Sequence, residues 1–137
     1  MKEPEELLPL ELLSAARLSG REYGWTFDQV NMVLEAAQAR SLACIGGQPQ
    51  FLLPGGTCEP YWQNCDSRDR AENEFWSDYV SRSHREVRTC FGKLSVADVV
   101  SDAIANFPFL REQAAAGTDL SESLVFILYF QAEGAAT

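Results

Sequence analysis

The stretch that decides the fold is Gln50-Phe51-Leu52-Leu53-Pro54-Gly55-Gly56-Thr57-Cys58-Glu59-Pro60-Tyr61-Trp62. Two apolar and aromatic runs flank a Pro-Gly-Gly turn, where glycine can supply a positive φ as the chain reverses. The pattern predicts a β-hairpin with strands over 50–53 and 57–62. On the second strand Cys58, Pro60 and Trp62 share one face, and Thr57, Glu59 and Tyr61 the other. Pro60 has no N–H to give to a ladder, so this strand belongs at a sheet edge or carries a bulge.

Helical signals lie on both sides. Leu7, Leu8, Leu12, Leu13 and Ala16 make an apolar stripe within 3–19, in a helix that begins near Pro9 and ends at Gly20. Thr26 and Gln29 form a capping box ahead of Phe27, Val30, Val33, Leu34 and Ala37, which predicts a helix to about Ser41. Gly46 and Gly47 stop that helix from continuing and introduce the hairpin. After a polar connection, Asn64 to Asp69, a long helix is predicted from about Arg70 to Phe91, with Trp76, Val80, Ser83, Val87 and Cys90 on one face. Asp69, Glu72, Glu74 and Asp78 fall toward its start and Arg82, Arg85, Arg88 and Lys93 toward its end, an order that complements the helix dipole. Gly92 supplies the stop.

Ser95 and Asp98 open a further helix, which Pro108 breaks at Phe107, with a short helical turn through Gln113 and a close at Gly117. The run Leu124-Val125-Phe126-Ile127-Leu128-Tyr129-Phe130 has no polar alternation and reads as a strand covered on both faces. Together these elements predict one α+β domain over residues 1–137. Its core is a small antiparallel sheet of about three strands, the hairpin plus the C-terminal strand, packed by four to five helices. The strand order 57–62, 50–53, 123–131 leaves the apolar last strand on an edge, where an uncovered strand recruits another. A homodimer through the C-terminal strand is therefore expected.

The 137 residues are 46% hydrophobic and include eight Phe, four Tyr and three Trp, which implies a folded core. Eleven basic against twenty acidic side chains leave a net charge of −9. That balance serves solubility. It also disfavours nucleic acid, whose binding needs Lys and Arg to displace counterions, and anionic membrane surfaces, while it steers basic partner proteins inward. The acidic start Met1-Lys2-Glu3-Pro4-Glu5-Glu6 is unlike a secretory signal, and the longest apolar run is too short for a membrane helix. A cytoplasmic location is expected, with Cys44, Cys58, Cys65 and Cys90 reduced and packed as small hydrophobes. Export would open the alternative of a disulfide between Cys58 and Cys65.

No pattern of nucleophile, phosphate loop or metalloprotease helix is present. His84, the only histidine, stands six positions before Cys90 and points the other way around the same helix, so the two cannot pair locally and His84 reads as a helix-surface residue. A metal set of Cys58, Cys65, His84 and Cys90 lacks the close ligand pair that zinc sites show. Glu74 and Asp78, one helical turn apart beside Arg68 and Arg70, read as a solvated face. No catalytic residue, cofactor or metal is assigned.

A protein-binding role is favoured instead, centred on Glu59, Tyr61, Trp62, Asp66, Asp69, Glu74 and Asp78. Tyr and Trp are the side chains that most often anchor protein interfaces, and an acidic rim speeds and orients a basic partner. Trp62 also fits a core beside Phe51, with Tyr61 half exposed. The alternative function is a small-molecule binding protein or small enzyme, its pocket lined by Trp25, Trp62, Trp76 and Phe126.

In size, charge and layout, and in the stretch Gly46-Gly47-Gln48-Pro49-Gln50-Phe51 through Tyr61-Trp62, the chain resembles the small acidic α+β proteins of bacterial accessory gene pools. These include immunity proteins of toxin systems and orphan proteins carried on integron cassettes. The resemblance implies a non-catalytic inhibitor of a basic partner protein, and it transfers no functional residues.

Overall fold

The computed structural model describes residues 3–134. Within them the chain is α+β, with six helices and an antiparallel sheet of six strands. Helix α1 (Leu10–Ala15) leads into strands β1 (Arg17–Ser19) and β2 (Glu22–Trp25). Helix α2 (Phe27–Ala39) and strand β3 (Ala43–Leu53) come next, then β4 (Gly56–Cys58) and β5 (Cys65–Asp66). Helices α3 (Trp76–Phe91), α4 (Val96–Asn106), α5 (Pro108–Ala115) and α6 (Leu120–Ser123) precede the last strand, β6 (Leu124–Gln131). No helix among the described residues is long and apolar enough to cross a membrane.

The local signals explain most of these boundaries. Gln29 Oε1 accepts the Thr26 N–H at 3.0 Å at the start of α2, and Ser95 Oγ accepts the Asp98 N–H at 3.1 Å at the start of α4. Phe107 is the C-cap of α4, and Pro108 opens α5 at a position that needs no N–H. The hairpin is present too, with Leu53 opposite Gly56 across a two-residue turn. Neither Gly55 nor Gly56 takes a positive φ, which occurs instead at Gly20, Gly117 and Gly134, and at Ser41 among the other residues.

The sheet has six strands where about three were expected, and four element boundaries differ as well. The second hairpin strand ends at Cys58, because Pro60 interrupts the ladder and Tyr61–Gln63 winds into a 3-10 turn. The first strand begins at Ala43 and continues through Gly46 and Gly47, with a register shift between Cys44 and Gly46. The N-terminal helix over 3–19 shrinks to a 3-10 turn at Pro4–Leu7 and the short α1, and the rest becomes the hairpin β1–β2. The long helix starts at Trp76, so Glu74 is not helical and cannot stand a helical turn from Asp78.

The order β1-β2-β6-β3-β4, with β5 on β3 beside β4, makes β6 interior and removes the edge on which dimer pairing was expected. Alternate β6 residues Leu124, Phe126, Leu128 and Phe130 enter one core with Trp25, Val33 and Leu34, Phe51, Val87 and Phe91. Each buried Phe or Leu there contributes about 1.5–3 kcal/mol. Gly47 lets β3 pass under this layer, since a Cβ there would sit 2.6 Å from Phe91 Cζ and 2.9 Å from Leu128 Cδ2.

On the opposite face Val125 and Ile127 are fully buried as well. Curvature accounts for this. Ser19 Oγ on β1 donates to Gln50 Oε1 on β3 at 2.8 Å, although β2 and β6 lie between them and a flat sheet would hold the strands about 14 Å apart. Gly24 permits the curl, because a Cβ there would meet the Val125 and Ile127 side chains at 2.8 and 2.9 Å.

Candidate functional site

Pro60 ends the hairpin and redirects the chain. It caps the 3-10 turn Tyr61–Gln63, in which Gln63 N–H donates to Pro60 O at 2.9 Å. The turn pushes two aromatic rings outward, leaving Tyr61 71% and Trp62 44% exposed. They pack edge to face, with centroids 5.2 Å apart and planes at 83°. Trp62 also stacks on Phe107, the residue between α4 and α5, at 5.6 Å and 17°.

Asp102 on α4 fixes Trp62 in place. Its Oδ2 accepts the Trp62 indole N–H at 2.6 Å and the Gln63 side-chain amide at 3.0 Å, while Asn106 donates to the Asp102 carbonyl at 2.8 Å. A carboxylate acceptor makes a stronger hydrogen bond than a neutral one. Asp102 is therefore a site residue that sequence reasoning missed, as it stands forty positions from Trp62. The placement of Trp62 in the core is corrected as well, whereas Phe51 is fully buried there.

The acidic residues expected around this pair divide. Glu59, exposed, turns to the open sheet face and accepts from Gln48 Nε2 at 2.8 Å and Gln50 Nε2 at 3.2 Å. Asp66 is exposed on β5 opposite Gly46. Asp69 is exposed, and its carbonyl accepts from Arg82 at 3.0 Å. Asp78 is exposed in the first turn of α3, twelve positions before Cys90 and so about 18 Å away along the axis.

Glu74 has a different task. Arg82 Nε lies 2.7 Å from one carboxylate oxygen and Arg82 Nη2 2.8 Å from the other. Ala71 N–H adds a third bond at 3.0 Å. The Arg82 hydrogen bonds, then the Ala71 bond, pull the Glu74 carboxyl down to about 2. Arg82 also holds Glu86 at 3.0 Å. Glu74 thus organises the 67–75 loop on α3, and its charge is matched inside the chain. Of the residues expected to form one surface, Tyr61 and Trp62 are brought together, and Asp102 joins Trp62.

The cysteines are not all reduced. Cys65 and Cys90 form a disulfide with Cα atoms 5.5 Å apart, because pairing of β5 with β3 carries Cys65 beneath the last turn of α3. Cys58, the partner considered for Cys65, is a free buried thiol, as is Cys44. Burial pushes the Cys44 thiol up to about 12. The disulfide also removes two ligands from the metal set, and no group of three His, Cys, Asp or Glu among the described residues is placed to hold a metal ion.

His84 lies inside and not on the helix surface, at 1% exposure. Its Nε2 is 2.7 Å from Leu42 O, which makes Nε2–H the donor, and its ring stacks on Phe130 at 6.3 Å. Nδ1 has no partner among the described residues. Burial, opposed by the Leu42 bond and helped by Arg88, pushes its pKa below the usual histidine value.

The residues of the alternative pocket do not converge. Trp25 and Phe126 are fully buried in the main core, with Trp25 donating to Leu12 O at 2.8 Å. Trp76 packs with Ala43, Tyr79 and Val80 in a separate cluster, and Trp62 stands on the surface.

No protein-family model, curated protein or solved structure matches the chain. The functional reading therefore rests on the geometry itself.

Proposed function

We propose that this chain is a non-catalytic protein-binding domain, of the kind an immunity-type inhibitor represents, and that it meets a basic protein through Tyr61 and Trp62. The observation that carries the reading is the exposed Tyr61–Trp62 pair, in which Asp102 and Phe107 hold Trp62 and Trp62 packs against Tyr61. An aromatic pair already fixed in the free protein loses little side-chain freedom on binding, and so keeps more of its contact energy. Fixed aromatic side chains are frequent centres of binding energy in protein interfaces. The net charge of −9 supplies long-range attraction for a basic partner and a rate that falls with salt.

Co-purification from the host cell tests this. The wild-type chain is expected to retain a basic protein that elutes as salt is raised, and Trp62→Ala to lose it. Equal retention by Trp62→Ala, or recovery of acidic proteins alone, would refute the assignment.

A further inference from the structure

The Tyr61–Gln63 turn is held in two different ways. On one side Trp62 and Gln63 reach Asp102 through their side chains. On the other, Asn64 leads directly into β5, a strand of two residues that pairs with β3 only at Gly46 and Gly47. Pairing over two residues is a weak hold, and segments of this kind open ahead of the core. The next anchor comes beyond β5, where Ser67 N–H donates to Ile45 O at 2.9 Å. Between these points the Cys65–Cys90 disulfide supplies a covalent hold, tying β5 to the last turn of α3. Cys65 stands two positions after Gln63, and Cys90 Sγ is 4.0 Å from Asn64 O.

We propose that this disulfide is a redox switch on the Tyr61–Trp62 surface, fixing the turn when closed and loosening it when opened by a low-molecular-weight thiol. The two cysteines differ in access, since Cys65 is fully buried and Cys90 is partly exposed. An incoming thiolate therefore attacks Cys90 Sγ and forms a mixed disulfide, and Cys65 leaves as a thiolate that takes up a proton. A second thiol attacks the mixed disulfide, which releases Cys90 as a thiol and joins the two small molecules as a disulfide. The protein pair thereby gains two electrons and two protons, and a small disulfide runs the exchange in reverse. With the bond open, the turn keeps its Asp102 and Phe107 contacts on one side and two-residue pairing on the other. Trp62 then samples orientations away from Phe107, and the order that favours binding is lost. The consequence for a partner rests on the function proposed above, whereas the switch itself does not.

The test is the nitrogen-15 spectrum of the full chain, oxidised and then reduced with dithiothreitol, in which the three indole N–H groups report separately. Trp25 donates to Leu12 O and Trp76 to Ser41 O, so these two follow the core and the first turn of α3. On reduction the Trp62 indole and the Gln63 amide are expected to shift. Exchange of the Gln63 amide, which is bonded to Pro60 O, is expected to rise about tenfold. The Trp25 and Trp76 indoles are expected to hold their positions, and glutathione disulfide to restore the first spectrum. Cys65→Ser combined with Cys90→Ser is expected to give the reduced pattern and to ignore thiol. Three results would overturn the proposal. They are no change at Trp62 and Gln63 on reduction, equal shifts at all three indoles, and a thiol response that persists in the double serine variant. None of these readings needs a partner, so they fail or succeed independently of retention by Trp62→Ala.

Discussion

Trp62 and Asp102, forty positions apart, are joined by a 2.6 Å hydrogen bond from indole to carboxylate. The bond ties the turn after the hairpin to α4, and with the Phe107 stack it gives an exposed tryptophan one orientation. It is the contact that turns two solvent-facing rings into a preformed surface.

Asp102→Ala is expected to loosen that surface without unfolding the chain. Loss of one charge-assisted bond at an exposed site costs about 1 kcal/mol, which urea denaturation would read. Acrylamide quenching should rise in step, since Trp25 and Trp76 are buried and Trp62 is the accessible indole. Unchanged quenching would show that Phe107 alone holds the ring.

The Cys65–Cys90 disulfide encloses a sequence separation of 25 residues, which includes the 67–75 loop and most of α3. Replacing both cysteines by serine should destabilise the chain by about 3 kcal/mol on a chain-entropy estimate. Thiol reduction should do the same. Urea unfolding with and without a thiol reductant checks this, and coincident curves would contradict it.

Much of this architecture is visible in the residues themselves. The capping pairs Thr26/Gln29 and Ser95/Asp98, the break at Pro108 and the unalternating run of β6 are local signals, and each stands where the sequence places it. Strands β1 and β2 escaped because three- and four-residue strands show too little alternation to outweigh the leucine stripe before them. Their absence from the prediction made β6 an edge strand. The 3-10 turn after Pro60 kept Tyr61 and Trp62 adjacent but removed the alternating faces a strand would have given them. Asp102, the Cys65–Cys90 pair and the burial of His84 depend on contacts between distant elements. No spacing in the sequence encodes them.

His84 predicts a pH dependence of fixed sign. Its folded pKa lies below its ordinary value, so its contribution is complete about one pH unit above the ordinary value of about 6.5 and is lost as pH falls toward the folded value, because the unfolded chain binds the proton first. Stability should fall between about pH 7.5 and about pH 5.5, by no more than about 1.4 kcal/mol per pH unit from this group. His84→Gln keeps a donor for Leu42 O and should flatten the slope. Equal slopes in the two proteins would assign the effect elsewhere.

The measurement that bears most directly on the proposed function is site-specific photo-cross-linking in the host cell. The reactive amino acid is placed at position 61 and, as a control on another exposed surface, at position 32. A basic protein cross-linked from position 61 but not from position 32, and lost when Trp62 is changed to Ala, is the predicted result. A partner captured equally from both positions, or from position 32 alone, would contradict the assignment of the Tyr61–Trp62 surface.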